Sequence, residues 1–417
     1  MDVIVDRCAG LDVHKDTVMA TVRRPGPDGL GREQETRQYR TYTSALRELR
    51  GWLTSERVSQ VAMEATGSYW KPVWHVLEAE PGYELLLCNA QHVKNLPGRK
   101  TDVSDSAWLA QLCECGLLRG SFVPTPAMAR LRDLTRYAKK LTEERARETQ
   151  RIQHVLEDAG IKLDSVVSDV LGKAARRMIE ALIAGERDPQ VLAEMALTRM
   201  RPKIPDLRLA LEGGFGEHHA LLLRTHLDHI DHLTAAIEQL DAQVQAEIAP
   251  FSAAVELLCT IPGIGARTAW VIVAEIGADM DRFPSSAHLA SWAGLCPGNH
   301  ESAGKRRSGR ARKGNAALRT AMVEAAWSAT RTRNTYLGAQ YQRFRRRFGN
   351  KGETKAIFAV AHTMLVIVWH VLIQQTPYTD LGVDYYTHRT DAQAHARRLA
   401  RQIERLGYRV TIEPAAA

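Results

Sequence analysis

The sequence predicts an α/β domain at the amino terminus followed by a mostly helical remainder, the combination of an α/β and an all-α class. Three observations along the 417 residues predict this division. Short β-rich runs alternate with helical spacing at first, long apolar heptad-like repeats follow, and a glycine-rich turn and a long apolar run occupy the last third. We therefore expect domains at 1–125, 126–250 and 251–380, with a helical tail at 381–417.

The amino-terminal domain has five expected strands. Runs of β-branched and other apolar residues predict them at 8–13, 17–22, 38–42, 58–63 and 83–87. Apolar residues at steps of three and four predict helices between and after the strands, at 44–53, 69–78 and 104–118. Pro124 and Pro126 then mark the end of the domain.

Two long helices are expected in the middle of the chain. Apolar residues step by threes and fours over 131–155, where Arg145 and Glu148 interrupt the seam, and again over 223–248. This spacing is typical of coiled coils, so we expect these helices to pack together or against another copy of the chain. His226, His229 and His232 are spaced by three and drift around the second helix, so we expect no tetrahedral metal site there.

Four acidic residues in the amino-terminal domain predict a metal site. Asp12 lies in the apolar first strand, and Glu64 ends the fourth. Asp102 and Asp105 are three apart at the start of a helix, which places both carboxylates on one face. Clustered carboxylates require cations to neutralise them, and Mg²⁺ prefers oxygen ligands. Each acid alone has a structural alternative, such as a helix cap or a surface ion pair, so the prediction depends on the set.

Two features of the last third suit nucleic acid. Gly263 and Gly265 form a tight turn before a helix, a helix-hairpin-helix pattern whose amides can approach a DNA phosphate, although a plain helical turn is the alternative. Seven basic residues against one acid follow between 298 and 319. Interspersed glycine and serine favour phosphate binding over a solvated helix face, and the expected contacts are Lys305, Arg306, Arg307, Arg310, Arg312 and Lys313. A second basic patch contains Arg343, Arg345, Arg346, Arg347 and Lys351 beside Phe344 and Phe348.

The bulk composition is that of a globular protein. Hydrophobic residues make up 45% and charged residues 25%, and the net charge is +8. This composition excludes broad disorder. Six cysteines without a CxxC pair, and no secretory signal, favour a reducing cytoplasm. The apolar run at 356–373 contains His362, Thr363 and His370, so we expect a buried core helix and no membrane span.

Four strings of the sequence resemble one protein family. GLDVHKDTV, MEATGSYW, NAQHVKNLPGRKTDVSDSAWLA and AGLCPGNHESAGKRRSGRARKGNAALR are similar to the DEDD transposases of insertion sequences, now known as bridge-RNA-guided recombinases. The resemblance covers roughly residues 7–375 and implies a RuvC-like, ribonuclease-H-type domain in which four acids bind Mg²⁺. By motif these acids are Asp12, Glu64, Asp102 and Asp105. The loop residues Arg99 and Lys100 beside them are candidate nucleic-acid contacts.

The resemblance also implies a nucleophilic serine. In the family it lies in a Ser-Gly-Gly or Ser-Ala-Gly setting, which matches Ser302, with Ser308 and Ser328 as competing candidates. A phosphoserine ester conserves the bond energy that hydrolysis of DNA would discard, and the basic residues that follow could stabilise developing charge.

The expected function is therefore that of a transposase with a serine nucleophile and Mg²⁺ as cofactor. The resemblance implies donor and target DNA, a noncoding bridge RNA, and a homo-oligomer, dimer or tetramer, at the bacterial nucleoid. Two alternatives stay open. One is a junction-resolving endonuclease that uses metal-activated water, and the other is a nucleic-acid-binding scaffold without chemistry.

Overall fold

In a computed structural model the chain forms two compact units, residues 1–123 and 124–417. The structure describes residues 2–26, 31–65, 67–79, 82–90, 93, 105–298, 300–302, 305–309, 311, 313–349, 352–388, 397 and 400–412, with the backbone alone at 300–302, 306–308 and 387–388. The unit boundary precedes Pro124. The further division of the second unit at residues 250 and 380 stays a prediction.

The first unit contains a mixed five-stranded sheet. Its order is β3-β2-β1-β4-β5, in which β2 is antiparallel to both neighbours and β4 is parallel to both of its own. This arrangement is consistent with the ribonuclease-H-type fold that the family resemblance implies. The strands are β1 (Cys8–Val13), β2 (Thr17–Pro25), β3 (Arg32–Arg40), β4 (Gln60–Glu64) and β5 (Glu84–Cys88).

Helices cover both faces of the sheet. On one face α1 (Thr43–Ser55) and α2 (Trp70–Glu78) pack on a core that includes Leu11 and Met63. On the other face α3 (Asp105–Glu114) packs on a core with Cys8 and Ala62. Successive strand residues point to opposite faces, so β1, β4 and β5 each contribute to both cores.

Two element boundaries differ from the sequence prediction by four residues or more. Strand β3 begins at Arg32 rather than at residue 38, because this edge strand is exposed and its polar residues show no apolar alternation. Its acidic residues instead form ion pairs, as Glu33 and Glu35 do with Arg24 at 3.4 and 3.2 Å. Helix α3 ends at Glu114 rather than at residue 118, since Gly116 has φ of +62° and ends the helix.

Among the residues of the second unit that the structure describes, the regular secondary structure is helical apart from one hairpin. That hairpin consists of β6 (His300–Ser302) and β7 (Lys305–Ser308), which are antiparallel. The helices are α4 (Pro126–Asp158), α5 (Leu163–Val166), α6 (Lys173–Ile183), α7 (Pro189–Glu194), α8 (Ile204–Ala210), α9 (Glu217–Ile248), α10 (Ser252–Cys259), α11 (Ala266–Ile276), α12 (Ser286–Ala293), α13 (Ala316–Arg331), α14 (Tyr336–Phe348), α15 (Glu353–Gln374) and α16 (Tyr385–His388), with 3₁₀ turns at Thr198–Lys203 and Ala249–Phe251.

The long helices α4 and α9 pack side by side in opposite directions. Near the start of α4, Arg130 contacts Glu247 at 3.2 Å, and at its end Asp158 contacts His219 at 3.1 Å. Between these contacts the seam includes Leu141 of α4, a heptad-pattern position of the sequence. The two helices therefore pair as expected, while their supercoiling stays a prediction.

Helix α15 lies at the centre of the second unit's largest core. Nine of its residues are buried, including Val360, Met364 and Val368, and they pack against α12, α13 and α14. By length and composition alone this helix could cross a membrane. Its burial agrees with the expectation of a core helix at 356–373.

Candidate functional site

Asp12 and Glu64 lie on neighbouring parallel strands. Leu11 of β1 is paired with Met63 of β4, and each acid is the next residue of its strand. Leu11 and Met63 point into the α1 and α2 core, so the strand alternation directs both acids toward the face that α3 covers. Both side chains are partly exposed at the carboxyl ends of their strands.

Helix α3 brings Asp105 to the same edge of the sheet. A Cβ on Gly10 of β1 would lie 2.2 Å from the carbonyl oxygen of Ser106, so the first turn of the helix rests on the strand backbone. At the other end of α3, Cys113 Sγ donates to Gln60 Oε1 at the start of β4, at 3.1 Å. The helix therefore runs opposite to the strands, and Asp105, its first residue, lies at their carboxyl ends.

Buried polar contacts that the sequence analysis missed hold α3 at both ends. Ser106 Oγ shares a hydrogen bond of 2.8 Å with Thr21 Oγ1 on β2, and both residues are fully buried. At the other end the buried Glu114 accepts from Arg23 Nε at 3.0 Å and Arg32 Nε at 2.6 Å. These partners are far apart in sequence, so no local pattern indicates them.

The chemistry of this edge fits a hard divalent cation. His14 Nε2 lies 3.2 Å from Asp12 Oδ2, and within the described residues no lysine or arginine pairs with Asp12 or Glu64. Carboxylate oxygens are the donors that Mg²⁺ prefers. Burial, together with the charge of Glu64, raises the pKa of Cys88 to about 12, so this neighbouring thiol stays neutral. Asp102, Arg99 and Lys100 lie outside the described residues.

A second group with metal-ligating atoms joins the ends of α4 and α9. Ligand atoms of Asp158, His218 and His219 lie within 4.8 Å of one another. The backbone N–H of Gly216 donates to His219 Nδ1 at 3.0 Å, so the neutral ring carries its proton on Nε2. That nitrogen donates to Asp158 at 3.1 Å and has no lone pair for a metal. The contacts explain the group as a helix cap.

Two histidines of α9 contact an acidic residue of α4 between the two helices. His226 Nδ1 donates to Glu148 of α4 at 2.8 Å, and His229 Nδ1 lies 3.2 Å from the other carboxylate oxygen. Glu148 is buried, and Arg151 also pairs with it. The polar interruption of the heptad pattern is therefore an ion-pair cluster between the two long helices.

The two glycines of the α10–α11 turn have different surroundings. Gly263 has φ of +86°, and a Cβ there would lie 2.4 Å from the carbonyl oxygen of Ala325 on α13. Gly263 thus permits close packing of the turn on a neighbouring helix. Gly265 is exposed at the N-cap of α11, and a Cβ there would meet no atom within 4 Å. An anion can therefore approach the turn at Gly265.

The β6–β7 hairpin places Ser302 beside a basic strand. Ser302 is the last residue of β6 and pairs with Lys305, the first residue of β7. Lys305 and Lys313 are exposed. The structure describes only the backbone of Ser302, Arg306 and Arg307, and Arg310 and Arg312 lie outside the described residues.

The second basic patch lies in the last two turns of α14. The side chains of Arg343, Arg345, Arg346 and Arg347 are exposed, and none has an ion-pair partner in the part of the chain that the structure describes. The guanidinium of Arg343 lies 4.6 Å from the ring centroid of Tyr386. Lys351 lies outside the described residues. Exposed guanidinium groups without an acidic partner among the described residues suit the binding of a phosphate backbone.

Comparison with protein families finds two matches. A family of transposases named for IS110 and the DEDD motif matches residues 9–161, the range that contains β1, β4 and α3. The family described as transposase IS116/IS110/IS902 matches residues 255–342, which contain the α10–α11 turn and the β6–β7 hairpin.

Individual relatives include proteins of mobile elements. The chain is 30% identical over 308 residues to the insertion element IS110 uncharacterized 43.6 kDa protein of Streptomyces coelicolor, covering 68% of this chain and 73% of the relative. It is 24% identical to the transposase for insertion sequence element IS1111A of Coxiella burnetii, covering 88% and 90%. A pilin gene-inverting protein of Moraxella bovis is 34% identical over 158 residues, and this match spans 48% of that relative and 36% of this chain.

Proposed function

The chain belongs to the IS110 family of insertion-sequence transposases, and we propose that it is a DNA recombinase that cuts and rejoins strands through a serine ester. One observation supports this most directly. Asp12, Glu64 and Asp105 come from β1, β4 and α3 and gather at one edge of the sheet, within the range that matches the DEDD transposases. Ser302 lies in a basic hairpin within the range of the second family match.

The acids are proposed to hold Mg²⁺. Asp12, Glu64 and Asp105 would supply carboxylate ligands together with Asp102. When bound, divalent ions of this kind polarise a scissile phosphate and stabilise the charge on the attacking and leaving oxygens. The role of the protein is to fix these carboxylates, which it does through the parallel pairing of β1 with β4 and the close contact of α3 with Gly10.

The proposed reaction at Ser302 conserves the number of phosphodiester bonds. The Oγ atom attacks a DNA phosphorus, the bond from phosphorus to one deoxyribose oxygen breaks, and the proton lost by the serine is balanced by the proton gained by that oxygen. A hydroxyl of the exchanged strand then attacks the phosphoserine, which restores the serine and forms the new DNA bond. No external energy source is needed, because each broken ester bond is replaced by another.

Nucleic acid is proposed to contact three basic or amide-rich surfaces. The first is the hairpin with Lys305, Arg306, Arg307 and the following Arg310, Arg312 and Lys313. The second is the helix-hairpin-helix turn at Gly263 and Gly265, where Gly265 is the open position. The third is the second basic patch, in the last two turns of α14. A plot of log K against the logarithm of the salt concentration has a negative slope. Loss of one phosphate contact should make that slope less steep by about 0.9.

The finer family properties are part of the same proposal. They are a bridge RNA that pairs with donor and target DNA, a dimer or tetramer that assembles through α4 and α9, and action at the nucleoid in the cytoplasm. A guide RNA would leave the protein to bind backbone and shape, which suits its arginine-rich surfaces. Omitting the element's flanking noncoding DNA from a recombination assay should then abolish activity.

The test is recombination in cells between donor and target plasmids that carry the element's flanking DNA. Wild type should recombine, while Ser302→Ala and Glu64→Gln should each lose activity by about 10³-fold or more. Ser308→Ala is the matched control for the hairpin, and Glu84→Gln, at the opposite end of the sheet, is the control for the acids. Both controls should keep wild-type activity.

Trapping of the covalent adduct separates the serine mechanism from its main alternative. Denaturing gels of the reaction should show protein attached to DNA for wild type and none for Ser302→Ala. Cleavage that survives Ser302→Ala but is lost in Glu64→Gln would instead support a junction-resolving nuclease that uses metal-activated water. Nucleic-acid binding that survives both substitutions, with no cleavage by wild type or by either variant, would leave only a nucleic-acid-binding scaffold.

A further inference from the structure

The two ends of the segment that bears Ser302 meet at one point of the helical core. We call residues 295–314 the serine segment. It begins after Gly294, whose φ of +73° ends α12, and at its far end the N–H of Asn315 donates to the Trp292 carbonyl at 3.1 Å. A Cβ on Gly314 would lie 2.3 Å from the Gly294 nitrogen, so the two ends of the segment are in backbone contact.

Asn315 uses both ends of its side-chain amide at this junction. Its Oδ1 accepts from the N–H of Leu318 at 3.0 Å, which caps the start of α13. Its Nδ2 donates to Glu275 Oε2 at 2.6 Å. A serine, threonine or aspartate could cap the helix as well. The asparagine amide carries both an acceptor and a donor, so one side chain can cap the helix and donate a hydrogen bond to Glu275 at the same time.

Glu275 is a fully buried carboxylate that arginines neutralise. It lies on α11 with 0% exposure and accepts from Arg136 Nε at 2.7 Å and Nη2 at 2.8 Å. Arg132 Nε lies 3.4 Å from the same carboxylate. A buried charge is costly unless it is paired and hydrogen-bonded on all sides, so this geometry is strongly specified. It connects α4, α11 and the start of α13.

We propose that Glu275, Arg136 and Asn315 are positioning residues that set where the serine segment leaves the core, and thereby where Ser302 meets DNA. The inference rests on the proposed role of Ser302 as nucleophile. The network orients Asn315. Because Gly314 is the preceding residue and the last of the serine segment, its position then fixes where the backbone of that segment ends. Small displacements of an attacking atom are costly, since a misplacement of about 1 Å lowers rates by about 10²-fold.

The sharpest test is Asn315→Asp in the full chain. Aspartate has the same shape and still caps α13, but it replaces the donor with a second carboxylate that faces Glu275. We expect single-turnover formation of the protein–DNA adduct to slow by about tenfold or more at pH 8, because a hydrogen bond to a buried charge is lost. The rate should recover as the pH falls, because protonation of the introduced carboxylate removes its repulsion of Glu275. Binding of the element's flanking DNA should change by less than about twofold, since no phosphate contact is removed.

The matched control makes the reverse exchange at another helix cap. Asp188 caps α7 by accepting from the N–H of Gln190 at 2.8 Å, and Asp188→Asn keeps that acceptor. Its adduct rate and its pH profile should equal those of wild type. Arg136→Lys is a second variant in case Asn315→Asp does not fold, because it keeps the positive charge and removes the paired hydrogen bonds to Glu275. It should slow the adduct step in the same direction.

Hydrogen exchange of the serine segment provides a readout that does not need activity. Amides at 300–313 should exchange about tenfold faster in Asn315→Asp than in wild type, while the core helix α15 keeps its protection. Wild-type adduct rates and unchanged exchange in both variants would overturn the proposal. If Ser302→Ala itself still forms the adduct, the proposed nucleophile is wrong, and the exchange result alone then decides whether the network holds the segment.

Discussion

Gly10→Ala should disturb the carboxylate site through the backbone alone. The added Cβ would lie 2.2 Å from the Ser106 carbonyl oxygen and 2.3 Å from the Ala110 nitrogen, whereas ordinary contacts begin at 3.4 Å. Helix α3 must therefore move from β1 by about 1 Å, a change of the overpacking kind that costs about 1–3 kcal/mol. Because α3 carries Asp105, the same shift separates Asp105 from Asp12 and should lower recombination by about 10²-fold.

The assay is urea unfolding followed by tryptophan fluorescence, together with plasmid recombination. Four of the eight tryptophans lie in the first unit, among them the buried Trp108 of α3, so the emission includes the unfolding of this unit. Gly51→Ala is the matched control, since Gly51 lies in α1 and a Cβ there meets no atom within 4 Å. It should keep or slightly increase stability, by up to about 1 kcal/mol, as alanine favours helix. Equal unfolding midpoints and activities for Gly10→Ala and wild type would refute the argument.

Three further substitutions test the packing of other elements. Burial raises the pKa of Glu148, but the hydrogen bond from His226 and nearby positive charges outweigh it, so the folded pKa lies below 4.5. The stabilisation present above pH 4.5 is lost as the pH falls through the folded pKa, and Glu148→Gln should flatten this acid limb of thermal unfolding. Gly263→Ala forces a methyl group to 2.4 Å from a carbonyl oxygen of α13 and should lower the unfolding free energy by about 1–3 kcal/mol; an unchanged denaturant midpoint would contradict this contact. Thr21→Val removes the buried 2.8 Å hydrogen bond between Thr21 Oγ1 and Ser106 Oγ and should cost about 1–3 kcal/mol, and a double-mutant cycle with Ser106→Ala should show the coupling.

The strands and long helices could be predicted because their patterns are local. The first strand has the predicted bounds, Cys8–Val13, since its nearly continuous apolar run is complete within six residues. The start of β3 could not be found in this way, because an edge strand with ion-paired side chains resembles a polar loop. The heptad spacing likewise indicated α4 and α9, whereas the partners of Glu148 on the facing helix follow only from the register of the two helices.

The sequence pointed to the acids as a set but left their arrangement open. Asp12 and Glu64 are neighbours because β1 pairs in parallel with β4, a choice that neither strand's pattern specifies. Gly263 and Gly265 were equivalent in the sequence as turn glycines. The structure distinguishes them, since Gly263 packs against α13 and Gly265 faces open space.

Close backbone contacts at glycine explain why the arrangement of the candidate site residues cannot be predicted from local sequence patterns. At Gly10 a helix rests on a strand from a distant part of the chain, and at Gly314 the two ends of the serine segment meet, with no room for a Cβ at either position. Propensity scales treat such glycines as weak points of a strand or as loop residues. Their physical role is to let two backbones approach to a fixed separation. Each of these contacts positions one candidate site residue. Asp105 depends on the first contact and Ser302 on the second, so the positions of both groups are encoded by the absence of a side chain at another residue.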